Sequence, residues 1–213
     1  MDEKPIILLG AGGHAKVLLD ILLDQGVPVL GISEKTDADI GMMTGLFGIP
    51  VIGSDADVLR YLPEEIELVN GIGSTVSTEH RRNIYKKFKE KGYCFRQVIH
   101  PTAIISKRAE LAEGVQVMAG AVIHIGAQIG ENSIVNTKAS VDHDCVIGAH
   151  VHIAPGVTLS GGVIVGDESH IGTGATVVQG VHIDKNVTVG AGAVVVCDLN
   201  TQKTFCGVPA RPI

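Results

Sequence analysis

The sequence predicts two domains of different class. Residues 1–99 read as an α/β domain on a parallel sheet, and residues 100–213 as a mainly β domain, a parallel β-helix with a short C-terminal tail. Three observations carry this. Strand-like and helix-like segments alternate through the first hundred residues, the pattern of βαβ units around a parallel sheet. From residue 105 to 199 an aliphatic residue recurs every six positions without an insertion. Aromatic residues are 3% of the chain and tryptophan is absent, which suits a narrow core of Val, Ile, Ala and Gly.

In the first domain, PIILL (5–9) reads as a buried strand running into Gly10-Ala11-Gly12-Gly13-His14. The following AKVLLDILLDQG reads as a helix, with Val17, Leu18, Ile21 and Leu22 on one face and Gly26 as its stop. A second strand is expected at 27–33, a loop at 34–48 and a short extended piece at 49–52. A helix at 55–61 ends before Pro63, and a strand at 67–72 ends at Gly73-Ser74. A helix at 77–91 is closed by Gly92, and a last strand at 93–99 leads through His100-Pro101 into the repeats. This is a small Rossmann-like arrangement, in which ligands meet the carboxyl ends of strands. Those ends fall at 10–14, 33–35 and 71–74.

The loop from Gly10 to Ala15 matches G-x-G-x-x-A, following a strand and opening a helix. Its backbone N–H groups and the helix N-terminus suit a phosphate. The domain is too short for both halves of a dinucleotide fold. The diphosphate of a nucleotide-sugar is therefore the better fit than NAD. Gly10, Gly12, Gly13, Gly73 and Ser74 are candidate contacts. His14 is either a further contact or simply the start of the helix.

The second domain repeats in sixes. Ile105, Leu111, Val117, Ile123, Ile129, Val135, Val141, Ile147, Ile153, Leu159, Val165, Ile171, Val177, Ile183, Val189 and Val195 share one register. Four residues after each comes a mostly small or β-branched residue, such as Ala121, Cys145 or Val157. Both positions point inward. One hexad cannot bury its apolar face alone, so three hexads close a triangular coil and coils stack about 4.8 Å apart. A sandwich or barrel would not hold this period without insertions, and the glycines and β-branched residues exclude a long helix.

Six histidines lie in the coils, and the register puts none of them inward: His124, His143, His150, His152, His170 and His182 are expected on the solvated surface. His143 stands apart because of its neighbours. It lies on a corner turn between Asp142 and Asp144, with Gly161 and Gly162 one coil later and His124 beside Asp142 one coil earlier. A carboxylate can hold the imidazole tautomer, and the bare glycine backbone brings N–H groups to the surface. This reads as a general base, His143 with Asp144 or Asp142, next to an oxyanion donor, the Gly161 N–H. Cys145 points inward and is rejected as a nucleophile.

Composition narrows the rest. A net charge of −6 with no basic patch speaks against nucleic acid. No apolar run of membrane-spanning length occurs, and the acidic start lacks a signal-peptide layout. Cys94, Cys145, Cys197 and Cys206 form no CxxC pair, so no zinc ribbon or redox motif is indicated. The expectation is a cytoplasmic protein with free thiols.

The repeat resembles the left-handed β-helix acyltransferases, and the left hand is implied by that resemblance alone. With GAGGHAKV (10–17), GIGS (71–74), RRNIYKKF (81–88), NTKASVDHDCVIGAHVHIAPGVTLSGGV (136–163) and GVPAR (207–211), nearly the whole chain is similar to bacterial sugar acetyltransferases with a Rossmann-like N-terminal domain. These include the sialic acid O-acetyltransferases and the nucleotide-4-aminosugar N-acetyltransferases of bacillosamine and perosamine pathways. The resemblance implies an acetyl-CoA co-substrate, a nucleotide-linked 4-amino-4,6-dideoxy sugar as acceptor, and a homotrimer with active sites between subunits. It implies His143 as base with the adjacent acid, often Glu in the family and here Asp144. It further implies CoA contacts at His152 and at Gly207, Val208, Pro209, Ala210 and Arg211. His170, one coil beyond His152, joins that set, and Asn136 in the same motif helps position the reacting groups. An acidic residue at Glu34 would face the nucleotide, with Lys35 near a phosphate.

Three other readings compete. The same base would serve a hydroxyl, as in O-acetylation of sialic acid. A γ-type carbonic anhydrase would use His143, His150 and His152 around zinc, although these fall at different register positions. A non-catalytic scaffold leaves the His-Asp pair over Gly-Gly without a purpose.

Overall fold

The computed structural model describes residues 4–34, 45–74, 77–200 and 202–213. The chain forms two compact units. One comprises Met1–Gly73 and Asn83–Val98; the other comprises Ser74–Arg82 and Ile99–Ile213. The chain passes from one unit to the other between 98 and 99, and an earlier excursion, Ser74–Arg82, groups with the coils.

In the first unit, strands β1 (Ile6–Leu9), β2 (Val29–Ser33), β3 (Val51–Gly53) and β4 (Glu67–Asn70) form a sheet of order β3-β2-β1-β4. All pairs are parallel. Every residue of β1 is buried, as its unbroken apolar run requires of a strand flanked on both sides. Helix α1 (Gly13–Asp24) buries Ala15, Leu18, Leu19 and Leu22, an i, i+3, i+4, i+7 stripe. Val17, expected on that stripe, is 47% exposed; Leu19 holds the position instead.

Several elements are shorter than the sequence pattern suggests. Helix α2 runs only Asp55–Val58, started by a capping box between Ser54 and Asp57. Strand β4 stops at Asn70 because the Asn70 side chain accepts the Ile72 N–H at 3.2 Å, turning the backbone. Helix α3 spans Glu79–Lys89. The strand expected at 93–99 reduces to a bridge from Phe95 to Leu68 and to Val98–Ile99. Its aromatics are core rather than ladder: Phe95 stacks on Tyr85 at 4.4 Å and Tyr93 meets Phe88 edge-on at 5.5 Å.

The second unit is a parallel β-helix with faces of five, eight and six strands. From Ile104–Ile105 to Thr176–Val177 each two-residue strand pairs in parallel with the one a coil later, for example Ser140 with Thr158 and Val141 with Leu159, whereas the terminal Arg211–Pro212 pairs antiparallel with Phe205 and Cys206. The repeating aliphatics from Val117 to Val195 are at most 2% exposed. Serine is tolerated at the second inward position because its hydroxyl is satisfied there. Ser133 Oγ donates to the Gly148 carbonyl and accepts from the Val151 N–H, both at 2.9 Å. The tail closes the prism. Ala210 donates its N–H to the Val194 carbonyl at 2.8 Å and is 5% exposed, while Val208 is 73% exposed.

Candidate active site

His143 lies on the turn between strands Ser140–Val141 and Val146–Ile147, where two faces of the prism meet. Asp142 Oδ1 accepts the His143 backbone N–H at 2.7 Å, which fixes the turn. Asp144, at φ 59°, turns its carboxylate back, and its Oδ2 lies 2.9 Å from His143 Nδ1. The choice left open by the sequence is thereby made: Asp144 holds the imidazole and Asp142 holds the backbone. Nδ1 carries the proton towards Asp144, so Nε2 is the atom with a free lone pair. The Asp144 hydrogen bond, with help from the charges of Asp142 and Asp144 and against a smaller desolvation effect, raises the His143 pKa above 6.5.

Two glycines make room for this pair. A Cβ on Gly161 would stand 2.4 Å from His143 Nε2, so the imidazole lies directly on the Gly161 backbone. A Cβ on Gly126, one coil before Asp144, would meet Asp144 Oδ1. Gly161 was legible from the eighteen-residue offset. Gly126 was missed, although the same offset taken backwards from Asp144 finds it. Among the described residues the Gly161 N–H donates to no protein group, whereas the Gly162 N–H is spent on the His143 carbonyl at 2.9 Å. Cys145 faces inward, fully buried, with Sγ 3.2 Å from the Ser160 carbonyl. Burial pushes its thiol pKa up, the opposite of an activated nucleophile.

A second cluster lies on another face. His152 and His170 are paired on adjacent strands with ring centroids 4.9 Å apart. They were expected in solvent but are 7% and 9% exposed, and His150 is 4% exposed. The outward direction was right; the cover was not foreseen. Residues of the Ser74–Arg82 excursion dock on this face. Ser74 bonds both rings, Thr78 Oγ1 donates to the Glu168 carbonyl at 3.0 Å, Arg82 pairs with the Glu168 carboxylate, and Arg81 Nε donates to the Asn132 carbonyl at 3.1 Å. His150 is held by Asn132 Nδ2 at 3.0 Å. Asn136 Nδ2 lies 3.0 Å from His152 Nε2. Beside these groups opens a cleft of about 410 Å³, lined by His152, His170, Ala154, Pro155, Val189 and Ala191 among others. Ser74, expected beside the glycine loop, therefore belongs with this cluster. His143, His150 and His152 occupy two successive turns and a strand, and among the described residues no three His, Cys, Asp or Glu side chains gather as a metal site.

The strand ends of the first unit carry the remaining candidates. Gly10, at φ 90°, turns the chain out of β1, and Gly12 precedes α1 without a side-chain cap. A Cβ on Gly12 or Gly13 would meet nothing within 4 Å, so the loop presents open backbone. A Cβ on Gly73 would stand 3.2 Å from His14 Cβ, which puts these two side by side. Glu34 Oε2 accepts the Ala11 N–H at 2.5 Å, fastening the end of β2 to the glycine loop. Lys35 lies outside the described residues. In the tail, Gly207 has φ 90°, Val208-Pro209 is cis, and Arg211 pairs across from Cys206.

Comparison with known proteins adds the following. Residues 5–88 match the family description "PglD N-terminal domain", residues 126–161 "Bacterial transferase hexapeptide (six repeats)", and residues 162–197 "Hexapeptide repeat of succinyl-transferase". The acetyltransferase domain of PglB from Neisseria gonorrhoeae, in complex with acetyl coenzyme A, is 37% identical over 100% of both chains with a TM-score of 0.90. PerB from Caulobacter crescentus, in complex with CoA and GDP-perosamine, is 37% identical over 100% of this chain and 98% of its own, TM-score 0.89. WeeI from Acinetobacter baumannii is 26% identical over 99% and 100%, TM-score 0.87. A curated 2,3,4,5-tetrahydropyridine-2,6-dicarboxylate N-succinyltransferase from Afipia carboxidovorans is 37% identical over 76 residues, 36% of this chain and 25% of that protein.

Proposed function

Because the chain belongs to the hexapeptide-repeat acetyltransferases that carry a PglD-type N-terminal domain, we propose that it acetylates the 4-amino group of a nucleotide-linked 4-amino-4,6-dideoxy sugar with acetyl-CoA. The observation that carries this reading is the His143–Asp144 pair seated on the Gly161 backbone. Acetyl-CoA supplies the activated acyl group, and its amide-bearing arm suits the cleft beside His152 and His170, which mixes apolar walls with a few polar atoms. GDP-perosamine in the relative's complex is an acceptor of the proposed kind.

The chain's own groups then divide the work. His143 Nε2 takes the proton from the attacking amine while Asp144 steadies Nδ1–H and the imidazolium that forms. The Gly161 N–H donates to the carbonyl oxygen of the thioester as negative charge grows there. His143 hands its proton on to the departing sulfur or to solvent. No protein nucleophile enters, in keeping with the buried, raised-pKa Cys145. The glycine loop from Gly10 to Gly13, with His14, Glu34 and Gly73, would receive the nucleotide diphosphate and its neighbouring groups.

His143 and the His152–His170 pair sit on different parts of the prism surface, so a complete site needs a second copy to bring the two together. Val146 and Ile164, paired neighbours that are 40% and 42% exposed, supply apolar surface for such a contact. Ile134 and Val122, which stand at the same outward position of the hexad, are fully and partly buried. The assembly we propose is a cytoplasmic homotrimer; sedimentation equilibrium at micromolar concentration should give three times the mass of 22.3 kDa, and a monomer would refute it.

The function is tested by free-thiol release from acetyl-CoA with UDP-, GDP- and dTDP-linked aminosugars, and with sialic acid as a hydroxyl acceptor. Turnover on at least one 4-aminosugar is expected. Turnover on sialic acid alone would replace N- by O-acetylation, and none on any acceptor would sink the reading.

A further inference from the structure

Five groups on the coil unit form a hydrogen-bond chain whose direction can be worked out atom by atom. It begins at the Thr137 backbone N–H, which donates to Asn136 Oδ1 at 2.8 Å. That fixes the amide orientation and leaves Asn136 Nδ2 to donate to His152 Nε2 at 3.0 Å. His152 Nε2 is thus an acceptor, so the proton of this ring is on Nδ1. Nδ1 lies 2.8 Å from the Ser74 backbone carbonyl, which can only accept, and the two assignments agree. The Ser74 hydroxyl lies 3.1 Å from His152 Nδ1 and 3.2 Å from His170 Nδ1. Towards His152 it can only accept, because that nitrogen carries a hydrogen. Its own hydrogen is then free for His170 Nδ1, the other partner it has. His170 Nδ1 accepts, and the remaining proton must sit on Nε2.

The His170 Nε2–H is where the chain ends. The ring is 9% exposed, yet Nε2 bonds no described residue and is not among the polar atoms sealed from solvent without a partner. It is therefore open to solvent, and the ring that carries it lines the cleft of about 410 Å³. Burial lowers the His170 pKa below its ordinary value, which keeps the ring neutral and the tautomer meaningful at pH 7.

We propose that Ser74 is a positioning residue that locks His170 as the Nε2–H tautomer, so that His170 presents one fixed donor to a carbonyl oxygen in the amide-bearing arm of the acyl carrier. A neutral imidazole left to itself exchanges between two tautomers, one of which would turn a lone pair towards that carbonyl. The Ser74 hydroxyl removes the wrong one. The proposal rests on acetyl-CoA being the acyl donor. It goes beyond that reading by giving the Ser74 hydroxyl a role on the donor side, although the residue follows a loop of the nucleotide-binding type.

The test combines kinetics, binding and tautomer measurement on the full chain. Ser74→Ala keeps the backbone carbonyl that holds His152 and removes only the hydroxyl. It should weaken acetyl-CoA binding, by calorimetry, and raise KM for acetyl-CoA by about 3- to 10-fold, the value of one hydrogen bond, with KM for the acceptor unchanged. Ser74→Thr should restore both. His170→Phe keeps a ring without a donor and should show a similar loss, and the double variant should lose no more than His170→Phe alone. In protein labelled with ¹⁵N-histidine, His170 should be the Nε2–H tautomer in the wild type and a mixture in Ser74→Ala. Equal acetyl-CoA affinity in wild type and Ser74→Ala, additive losses, or an unchanged His170 tautomer overturns the proposal. Failure of the wild type to bind acetyl-CoA at all overturns the donor assignment instead.

Discussion

Replacing His143 by alanine is expected to lower kcat/KM by about 10²–10⁴, the usual contribution of a positioned general base. The fold should survive, because the side chain is 49% exposed and lies outside the core. The pH profile identifies the group. His143 must be neutral to accept a proton, and its pKa is held above 6.5 chiefly by the Asp144 hydrogen bond. Activity of the wild type therefore falls as pH drops through a value above 6.5. Asp144→Asn removes the carboxylate that raises this pKa, so the acidic limb should move to lower pH while the plateau drops less than in His143→Ala. The amine of the acceptor ionises too, so all variants are compared on one sugar. Near-full activity of His143→Ala would place the base elsewhere, and an acidic limb that stays put in Asp144→Asn would separate it from this pair.

Gly161→Ala should be nearly as damaging although it keeps the backbone N–H and adds one methyl group. The new Cβ would fall 2.4 Å from His143 Nε2 and 2.5 Å from Cε1, closer than any real contact allows. The imidazole is a surface side chain and can swing aside, so stability should hardly change. In the proposed mechanism catalysis depends on its position, however, and a displacement of about 1 Å costs on the order of 10²-fold in rate. Thermal unfolding and turnover, measured side by side, should part company in this variant. Gly162→Ala is a poorer test, because Gly162 has φ 65° and any side chain there strains the turn. Unimpaired turnover by Gly161→Ala would mean that His143 works in a rotamer other than the one seen on the Gly161 backbone.

The sequence by itself determined the coils and the place of His143 against its glycines. A six-residue period sets which side chains point in, and the three-hexad coil sets which residues stack, so Val141, His143 and Gly161 find their places by counting. Local rules also set the glycine loop before α1 and the burial of β1. What the period does not encode is anything laid over the prism from outside it. His152 and His170 obey the register and point outward, yet they are buried, because Ser74 and the residues after it group with a face of coils that begin some twenty-five residues later in the chain. No pattern within residues 74–82 announces that contact. It is made by single hydrogen bonds, Ser74 to two imidazoles and Arg81 to the Asn132 carbonyl, over separations of 51 to 96 residues. The choice between Asp142 and Asp144 was likewise left to the tertiary structure. Two carboxylates flank one histidine symmetrically in sequence, and only the left-handed backbone at Asp144 with the bare Gly126 beneath it turns one of them towards Nδ1.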